Sequence, residues 1–128
     1  DVFEKQGPFD GVIGFSQGAA VASLLSGLRA IDGKPTPERP FTFNFAILIS
    51  GFPSTDPVLA KIYEEGEHYA LRSLHIISRL DSIVPPAASE ALASRFQKPE
   101  IWDHGEGHVI PKDPELGRIL MAFLRLNV

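Results

Sequence analysis

Four short apolar runs occur along the chain, separated by segments with helical patterns. They cover residues 11–15, 43–50 ("FNFAILIS"), 71–78 ("LRSLHIIS") and, more weakly, 100–104 ("EIWDH"). Short continuous apolar runs of this kind are typical of strands in a parallel sheet that is covered on both sides. We therefore predict about four buried strands.

Three other segments have the composition or the spacing of helices. Residues 17–30 are rich in Ala and Leu, which are the best helix formers. In residues 88–96 and 116–124 the apolar positions recur at helical spacing, and the second of these segments carries a clean amphipathic stripe. The alternation of strands and helices predicts an α/β fold, a parallel sheet with flanking helices, whereas residues 32–40 ("DGKPTPERP") predict an exposed loop.

The composition indicates a single globular domain and argues against several classes of partner. The chain has 128 residues, of which 44% are hydrophobic, enough to bury one core. A net charge of -4 without any basic cluster argues against a nucleic-acid surface or an anionic membrane. No apolar run approaches the roughly 18 residues of a membrane span. The absence of cysteine excludes disulfides and thiolate chemistry, and it fits a cytoplasmic protein.

The first apolar run ends in Gly14–Gly18, "GFSQG", which matches the G-x-S-x-G pattern of a nucleophile elbow. A sharp turn from strand to helix would place Ser16 on a strained backbone with its hydroxyl exposed. We expect glycine to be required at both ends of the pattern, because side chains at Gly14 and Gly18 would collide across the turn. Small residues at the start of the helix would let it lie close to the sheet: Ala19, Ala20 and Ala22.

The helix that follows Ser16 adds an electrostatic reason for this placement. A helix N-terminus carries partial positive charge, which here would lie where an oxyanion develops. The backbone N–H of Gln17 is the expected oxyanion donor. The alternative interpretation is a glycine-rich turn in which the serine has no chemical role.

A serine nucleophile needs a base. In folds with this nucleophile elbow, the serine, the acid and the histidine base follow one another in that chain order. His75 lies within an apolar run and is expected in the core, and His68 is expected at the surface. His104 ends the weak fourth strand, whereas His108 follows two glycines in a loop before the last helix, where a general base belongs. The spacing of His104 and His108 also resembles a zinc motif, but the glycines between them argue against the helix that such a motif needs. We expect His108 to be the base, and we expect no metal or other cofactor.

The acid that orients this histidine is expected directly after a strand. Asp81 follows the run at residues 71–78, at the edge where ligands of open α/β sheets bind. Asp103 is the rival, but it lies within or just after the last strand. Asp56 and Asp113 precede prolines and are typical of helix starts. We therefore predict Asp81 as the acid.

Residues after the second strand are candidates for the substrate pocket. Phe52 and Pro53 follow the tip of that strand, and the segment Thr55–Tyr69 continues from them. Two interpretations stay open for this segment: it lines the pocket, or it packs on the sheet.

Four stretches together resemble the FSH-type serine hydrolases, which are small α/β hydrolases. They are "PFDGVIGFSQGAA", "ILISGF", D-x-I-V-P and G-H-x-I-P, and the resemblance runs from Gly7 to the last helix. It implies hydrolysis of a small-molecule or carrier-bound acyl ester or thioester through an acyl-enzyme, with Ser16 as nucleophile, His108 as base and Asp81 as its partner. "GFSQG" is shared with the acyl-protein thioesterase and carboxylesterase family, which is the alternative.

The chain departs from the family pattern in two respects. Family members have strands before the elbow and a His-Gly loop that supplies a second oxyanion N–H. None of these is among the 128 residues, so we expect residues 1–128 to form a partial α/β-hydrolase domain that associates with the missing half or with itself. A non-catalytic binding fragment is then a second hypothesis. Glu106 also occupies a position where the family usually has glycine.

Overall fold

The computed structural model describes residues 10–31, 33–64 and 68–127. Pro8 and Phe9 of the first family motif, and Asp32 of the predicted loop, lie outside the described residues. The strands and helices alternate along the chain: β1 (Gly11–Phe15), α1 (Gln17–Gly27), β2 (Phe45–Ile49), α2 (Lys61–Glu64), β3 (Arg72–Ser78), α3 (Pro86–Ala93), β4 (Pro99–His104) and α4 (Pro114–Asn127).

The four strands form one parallel sheet in the order β1-β2-β3-β4. Phe15 lies opposite Ile49, and Ile49 lies opposite Ile76, so the carboxyl ends of the strands meet at one edge. The backbone pairing continues past the strands, because the N–H of Ser16 donates to the carbonyl of Ile49 at 2.9 Å and that of Ser50 to the carbonyl of Ile76 at 2.9 Å. Residues that follow the strands are therefore brought together along this edge.

Helices cover both faces of the sheet. On one face, α1 packs against β1 and β2, and α3 packs against β3. Ala19, Ala22 and Leu92 are buried there in one cluster with Leu48 of β2. The small residues of α1 allow the close approach that the sequence predicted. On the other face, the amphipathic stripe of α4 packs against the sheet.

Phe123 is the buried centre of that second face. It is 2% exposed, and its ring meets Phe45 edge-to-face at 5.8 Å. Burying a side chain of this size stabilises the fold by roughly 1.5–3 kcal/mol. The fold class is thus confirmed as an α/β sheet with flanking helices.

Within the residues that the structure covers, none of the helices has the length and apolar character of a membrane span.

Strand β1 is an edge strand of the described sheet, and it is less buried than its neighbour β2. It pairs with β2 on one side, and among the described residues no other strand pairs with it. Ile13 is 65% exposed, whereas every residue of β2 is buried. Apolar edges of this kind are open to further strand pairing.

His75 lies in the core, as the sequence predicted. It is 2% exposed, its Nε2 atom is 2.9 Å from Ser73 Oγ, and its ring meets that of Phe96 edge-to-face at 5.0 Å. Burial lowers the pKa of His75 from 6.5 to about 4. The imidazole is therefore neutral in the folded protein across the physiological range.

This buried imidazole predicts a specific acid sensitivity. Between pH 6.5 and about 4 the unfolded chain binds a proton at His75 that the folded chain does not bind, so stability falls as the pH is lowered. The full effect is about 3 kcal/mol in the free energy of unfolding. His75→Leu should remove most of this loss, measured by urea unfolding at about pH 7 and about pH 4.5. His68→Leu, at an exposed histidine, should retain it. An unchanged pH dependence in His75→Leu would contradict the prediction.

Candidate active site

Ser16 occupies the turn between β1 and α1. Its backbone has φ 55° and ψ -115°, in a region that L-residues rarely adopt. The turn is held on both sides: the Ser16 N–H donates to Ile49, and the Ser16 carbonyl accepts from the N–H groups of Ala19 and Ala20. A strained backbone fixed in this way directs the hydroxyl outward, as expected of a nucleophile elbow.

The two glycines of the motif differ in what they contribute. A Cβ atom at Gly14 would lie 2.3 Å from the carbonyl oxygen of Gly18, so no larger residue fits there. At Gly18 the prediction is wrong, because a Cβ atom would meet no described atom within 4 Å. Gly18 is exposed in the first turn of α1, and a side chain there would extend into open space. The tight approach is therefore made by the Gly18 backbone against Gly14.

His108 lies in the loop between β4 and α4, between two polar groups. Its Nε2 atom is 3.0 Å from Ser16 Oγ, and its Nδ1 atom is 2.8 Å from Asp81 Oδ2. The His108 side chain is 17% exposed, and its ring lies 5.1 Å from that of Phe15. Residues 92 positions apart in the sequence thus meet in one hydrogen-bonded chain.

Asp81 lies in a turn directly after β3, and its side chain is 2% exposed. Its Oδ1 atom accepts the N–H groups of Ile83 and Val84 at 2.8 and 2.7 Å. Burial alone would raise the pKa of Asp81, but the hydrogen bonds from Val84, His108 and Ile83 outweigh it and hold the pKa below its usual value. The carboxylate is therefore ionised at neutral pH.

An ionised carboxylate can only accept hydrogen bonds, and this fixes the proton on the imidazole. Nδ1 of His108 donates to Asp81, which leaves the lone pair of Nε2 to accept the hydroxyl proton of Ser16. This is the tautomer that a general base requires.

Asp103, the rival acid, and His104, the other histidine of "HGEGH", form hydrogen bonds or ion pairs with other groups. Asp103 pairs with Arg79 at 2.6 Å. His104 is buried at the end of β4, and its Nδ1 atom accepts the backbone N–H of Glu106 at 3.1 Å. Neither side chain joins the hydrogen-bonded chain of Ser16.

Asp113 directly precedes α4, as the sequence predicted, whereas Asp56 precedes a turn at residues 57–60 that lies before α2. Asp56 Oδ1 accepts the N–H of Val58 at 2.8 Å, and Asp113 Oδ1 accepts that of Glu115 at 2.8 Å, next to the first residue of α4. Within residues 10–31, 33–64 and 68–127, no group of three or more His, Cys, Asp or Glu side chains is placed to hold a metal ion.

A cleft of about 720 Å³ opens beside the Ser16 hydroxyl. Its lining residues are mostly apolar: Phe15, Ser16, Gln17, Gly18, Phe52, Ile83, Val84, Pro85 and Ala88. Of the two predicted pocket residues, Phe52 lies in the wall of this cleft, whereas Pro53 is not among its lining residues. The chain leaves the cleft after Phe52, because the N–H of Ser54 donates to the Tyr63 hydroxyl at 3.0 Å.

The segment after Pro53 packs on the fold and does not line this cleft. Tyr63 and Tyr69 are both buried against the core on the α1 side of the sheet. The Tyr63 hydroxyl lies 2.6 Å from Ser23 Oγ on α1. For the described part of Thr55–Tyr69, packing on the fold is the better of the two interpretations.

Several contributors to the site were not identified from the sequence. Ile83 and Val84 hold the carboxylate with their backbone and also line the cleft. The Asp-Ser-Ile-Val-Pro order signals this turn, since an aspartate side chain commonly bonds backbone N–H groups two residues further on. No sequence signal indicated that Ser78 and Glu106 bond backbone N–H groups of the loop that carries His108.

Solved structures with the same fold define the class of protein. The esterase domain of a Rhodothermus marinus protein aligns with a TM-score of 0.69 at 15% identity, over 98% of this chain and 63% of that one. Acyl-protein thioesterase 2 of Zea mays aligns with a TM-score of 0.63 at 20% identity, over 95% and 58%. The chain thus has the α/β-hydrolase fold.

Sequence comparison identifies the family within that fold. The family model described as serine hydrolase (FSH1) matches residues 1–117, and the chain belongs to this family. "Esterase OVCA2" of Xenopus tropicalis is 38% identical over 95% of this chain and 50% of the relative. "Esterase CG5412" of Drosophila melanogaster is 38% identical over 98% and 42%. The chain spans about half the length of the curated relatives it matches.

Proposed function

We propose that Ser16, His108 and Asp81 are the catalytic triad of a hydrolase that cleaves acyl esters or thioesters. The observation that carries the proposal is the unbroken hydrogen-bonded chain from Asp81 through His108 to Ser16 on a strained elbow. Membership of a serine hydrolase family and relatives named esterases support the same reaction class.

In the proposed acylation step, Ser16 Oγ attacks the acyl carbon while its proton passes to His108 Nε2. The resulting imidazolium is stabilised by the ionised Asp81 beside Nδ1. When the tetrahedral intermediate collapses, His108 returns the proton to the leaving alcohol or thiol. The products of this step are the free leaving group and an acyl ester on Ser16.

In the proposed deacylation step, water replaces the leaving group. His108 removes a proton from the water as its oxygen attacks the acyl carbon, and then returns that proton to Ser16 Oγ.

The negative oxygen of both tetrahedral intermediates would be stabilised by the N–H of Gln17. That N–H is at the first position of α1, where no intrahelical acceptor exists and the helix dipole is positive.

The cleft beside Ser16 indicates the kind of acyl group. None of its described lining residues is charged, and most are apolar. A neutral hydrocarbon acyl chain would bury apolar surface there, worth about 0.8 kcal/mol per methylene group. We therefore propose an uncharged acyl chain as the group transferred to Ser16.

Fluorophosphonate labelling tests this function directly. The probe reacts with an activated serine, so the protein at its natural length should be labelled at Ser16 and protected by a competing ester. Ser94→Ala should be labelled as wild type, because Ser94 lies at the end of α3 and bonds the Ala91 carbonyl. Absence of labelling in a folded protein would favour a non-catalytic binding role.

We also propose that residues 1–128 form part of a hydrolase domain whose β1 edge is covered in the working protein. β1 contains neither lysine nor proline to protect its free side, and Ile13 and Val21 are 65% and 55% exposed. The 128-residue chain on its own is expected to self-associate, as measured by light scattering at increasing concentration. A stable monomer with cooperative unfolding would contradict this expectation.

A further inference from the structure

The loop that carries His108 is tied to the sheet where it leaves β4. The backbone N–H of Glu106 donates to His104 Nδ1 at 3.1 Å. The next N–H, that of Gly107, donates to the buried hydroxyl of Ser78 at 3.1 Å. Gly107 has φ +79°, which turns the chain into the position of His108. The beginning of the loop is thus fixed by two adjacent backbone hydrogen bonds.

The end of the loop is tied back by the Glu106 side chain. Its Oε2 atom accepts the backbone N–H groups of both Lys112 and Asp113 at 3.0 Å, and Oε1 lies 3.2 Å from the Lys112 nitrogen. These N–H groups directly precede α4, which begins at Pro114. Hydrogen bonds to an ionised acceptor are about twice as strong as neutral ones. The carboxylate closes a ring that contains His108.

The two residues directly after His108 are only partly held by side-chain packing. Val109 and Ile110, which follow His108, are 42% and 53% exposed, although Pro111 beyond them is buried. Gly105 and Gly107, on either side of Glu106, add conformational freedom. Without the carboxylate, the segment from His108 to α4 would lose its tie to the fixed beginning of the loop.

We propose that Glu106 is a positioning residue for the reaction, an inference that rests on the proposed function of Ser16 and His108. By joining the two ends of the loop, its carboxylate keeps His108 Nε2 within hydrogen-bond distance of Ser16 Oγ. Displacement of a reacting group by about 1 Å can reduce a rate by about 100-fold. A partial loss of restraint should therefore lower kcat and leave substrate binding nearly unchanged, because His108 is not a lining residue of the cleft.

Two substitutions separate positioning from a general structural role. Glu106→Ala removes both hydrogen bonds, and we expect kcat to fall about 10-fold with KM changed by less than about twofold. Glu106→Gln can place its amide oxygen where Oε2 accepts both N–H groups, so it should retain kcat to within about threefold. The control is Glu115→Ala. It removes a carboxylate that pairs with Arg118 within α4 and does not bond the loop of His108. It should behave as wild type.

A second measurement does not depend on turnover. In proton NMR of the natural-length protein, the Nδ1 proton that His108 donates to Asp81 should give a resolved downfield signal. We expect this signal to broaden or disappear in Glu106→Ala and to persist in Glu106→Gln. Thermal unfolding of both variants should remain close to wild type.

The outcomes distinguish this inference from the proposed function. If wild type hydrolyses esters and Glu106→Ala retains its kcat, the positioning role is refuted while the function stands. If wild type is inactive, the proposed function fails, and the NMR signal decides positioning: a signal unchanged in Glu106→Ala overturns it. A kcat loss that only follows a loss of folded protein, without rescue by Glu106→Gln, would also overturn it.

Discussion

Ser16→Ala is expected to abolish ester hydrolysis while leaving the protein folded. Loss of the nucleophile in a comparable triad costs about 10⁶-fold in kcat, so turnover of p-nitrophenyl acetate should fall to the background rate. The Ser16 hydroxyl bonds His108 in a partly exposed position and fills no core space, so the thermal midpoint should change little. Kinetics and thermal unfolding of the natural-length protein measure both effects.

The matched control for this substitution is Ser94→Ala, which removes an exposed hydroxyl that bonds a carbonyl within its own turn. It should keep wild-type turnover. Residual turnover in Ser16→Ala together with a large loss of stability would show that Ser16 is structural.

Asp81→Asn is expected to cause the second largest loss, about 10⁴-fold in kcat. The amide oxygen can still accept the N–H groups of Ile83 and Val84, so the turn should persist. The amide NH₂ would then face His108 Nδ1 and favour the tautomer with its proton on Nε2. In that tautomer the imidazole cannot accept the proton of Ser16. The measurement is kcat for a p-nitrophenyl ester, with circular dichroism to verify folding.

Asp103→Asn is the control for this change of charge, because it alters a carboxylate at the same edge of the sheet that pairs with Arg79. Its kcat should remain close to wild type. If Asp81→Asn retained kcat to within about 10-fold, the proposed role of Asp81 would be wrong.

Most of the fold could be predicted because buried positions are apolar in the sequence, as a continuous run in a buried strand or as a stripe at helical spacing. The run at residues 43–50 contains β2, all of whose residues are buried, and the stripe of α4 places Phe123 in the core. Strand ends in a parallel sheet also meet at one edge. The sequence therefore predicted Ser16, Asp81 and His108 close together without any knowledge of loop conformation.

What could not be predicted depends on the conformation of irregular segments. Whether Phe52 or Pro53 faces the cleft depends on where the chain turns toward Tyr63, a contact that has no periodic signal. The hydrogen bond from Gly107 to Ser78 joins the loop of His108 to the last residue of β3, which is distant in sequence. Glu106 appeared only as a departure from the family pattern, whereas its carboxylate accepts the N–H groups of the two residues directly before α4.

The most direct test of the central claim is detection of an acyl group on Ser16. The natural-length protein would be mixed with a p-nitrophenyl ester, quenched in acid at early times and analysed by mass spectrometry after proteolysis. We predict that the peptide containing Ser16 gains the mass of the acyl group, that the gain precedes steady turnover, and that it is absent in Ser16→Ala. Acylation at another residue, or hydrolysis that proceeds equally in Ser16→Ala, would contradict the account.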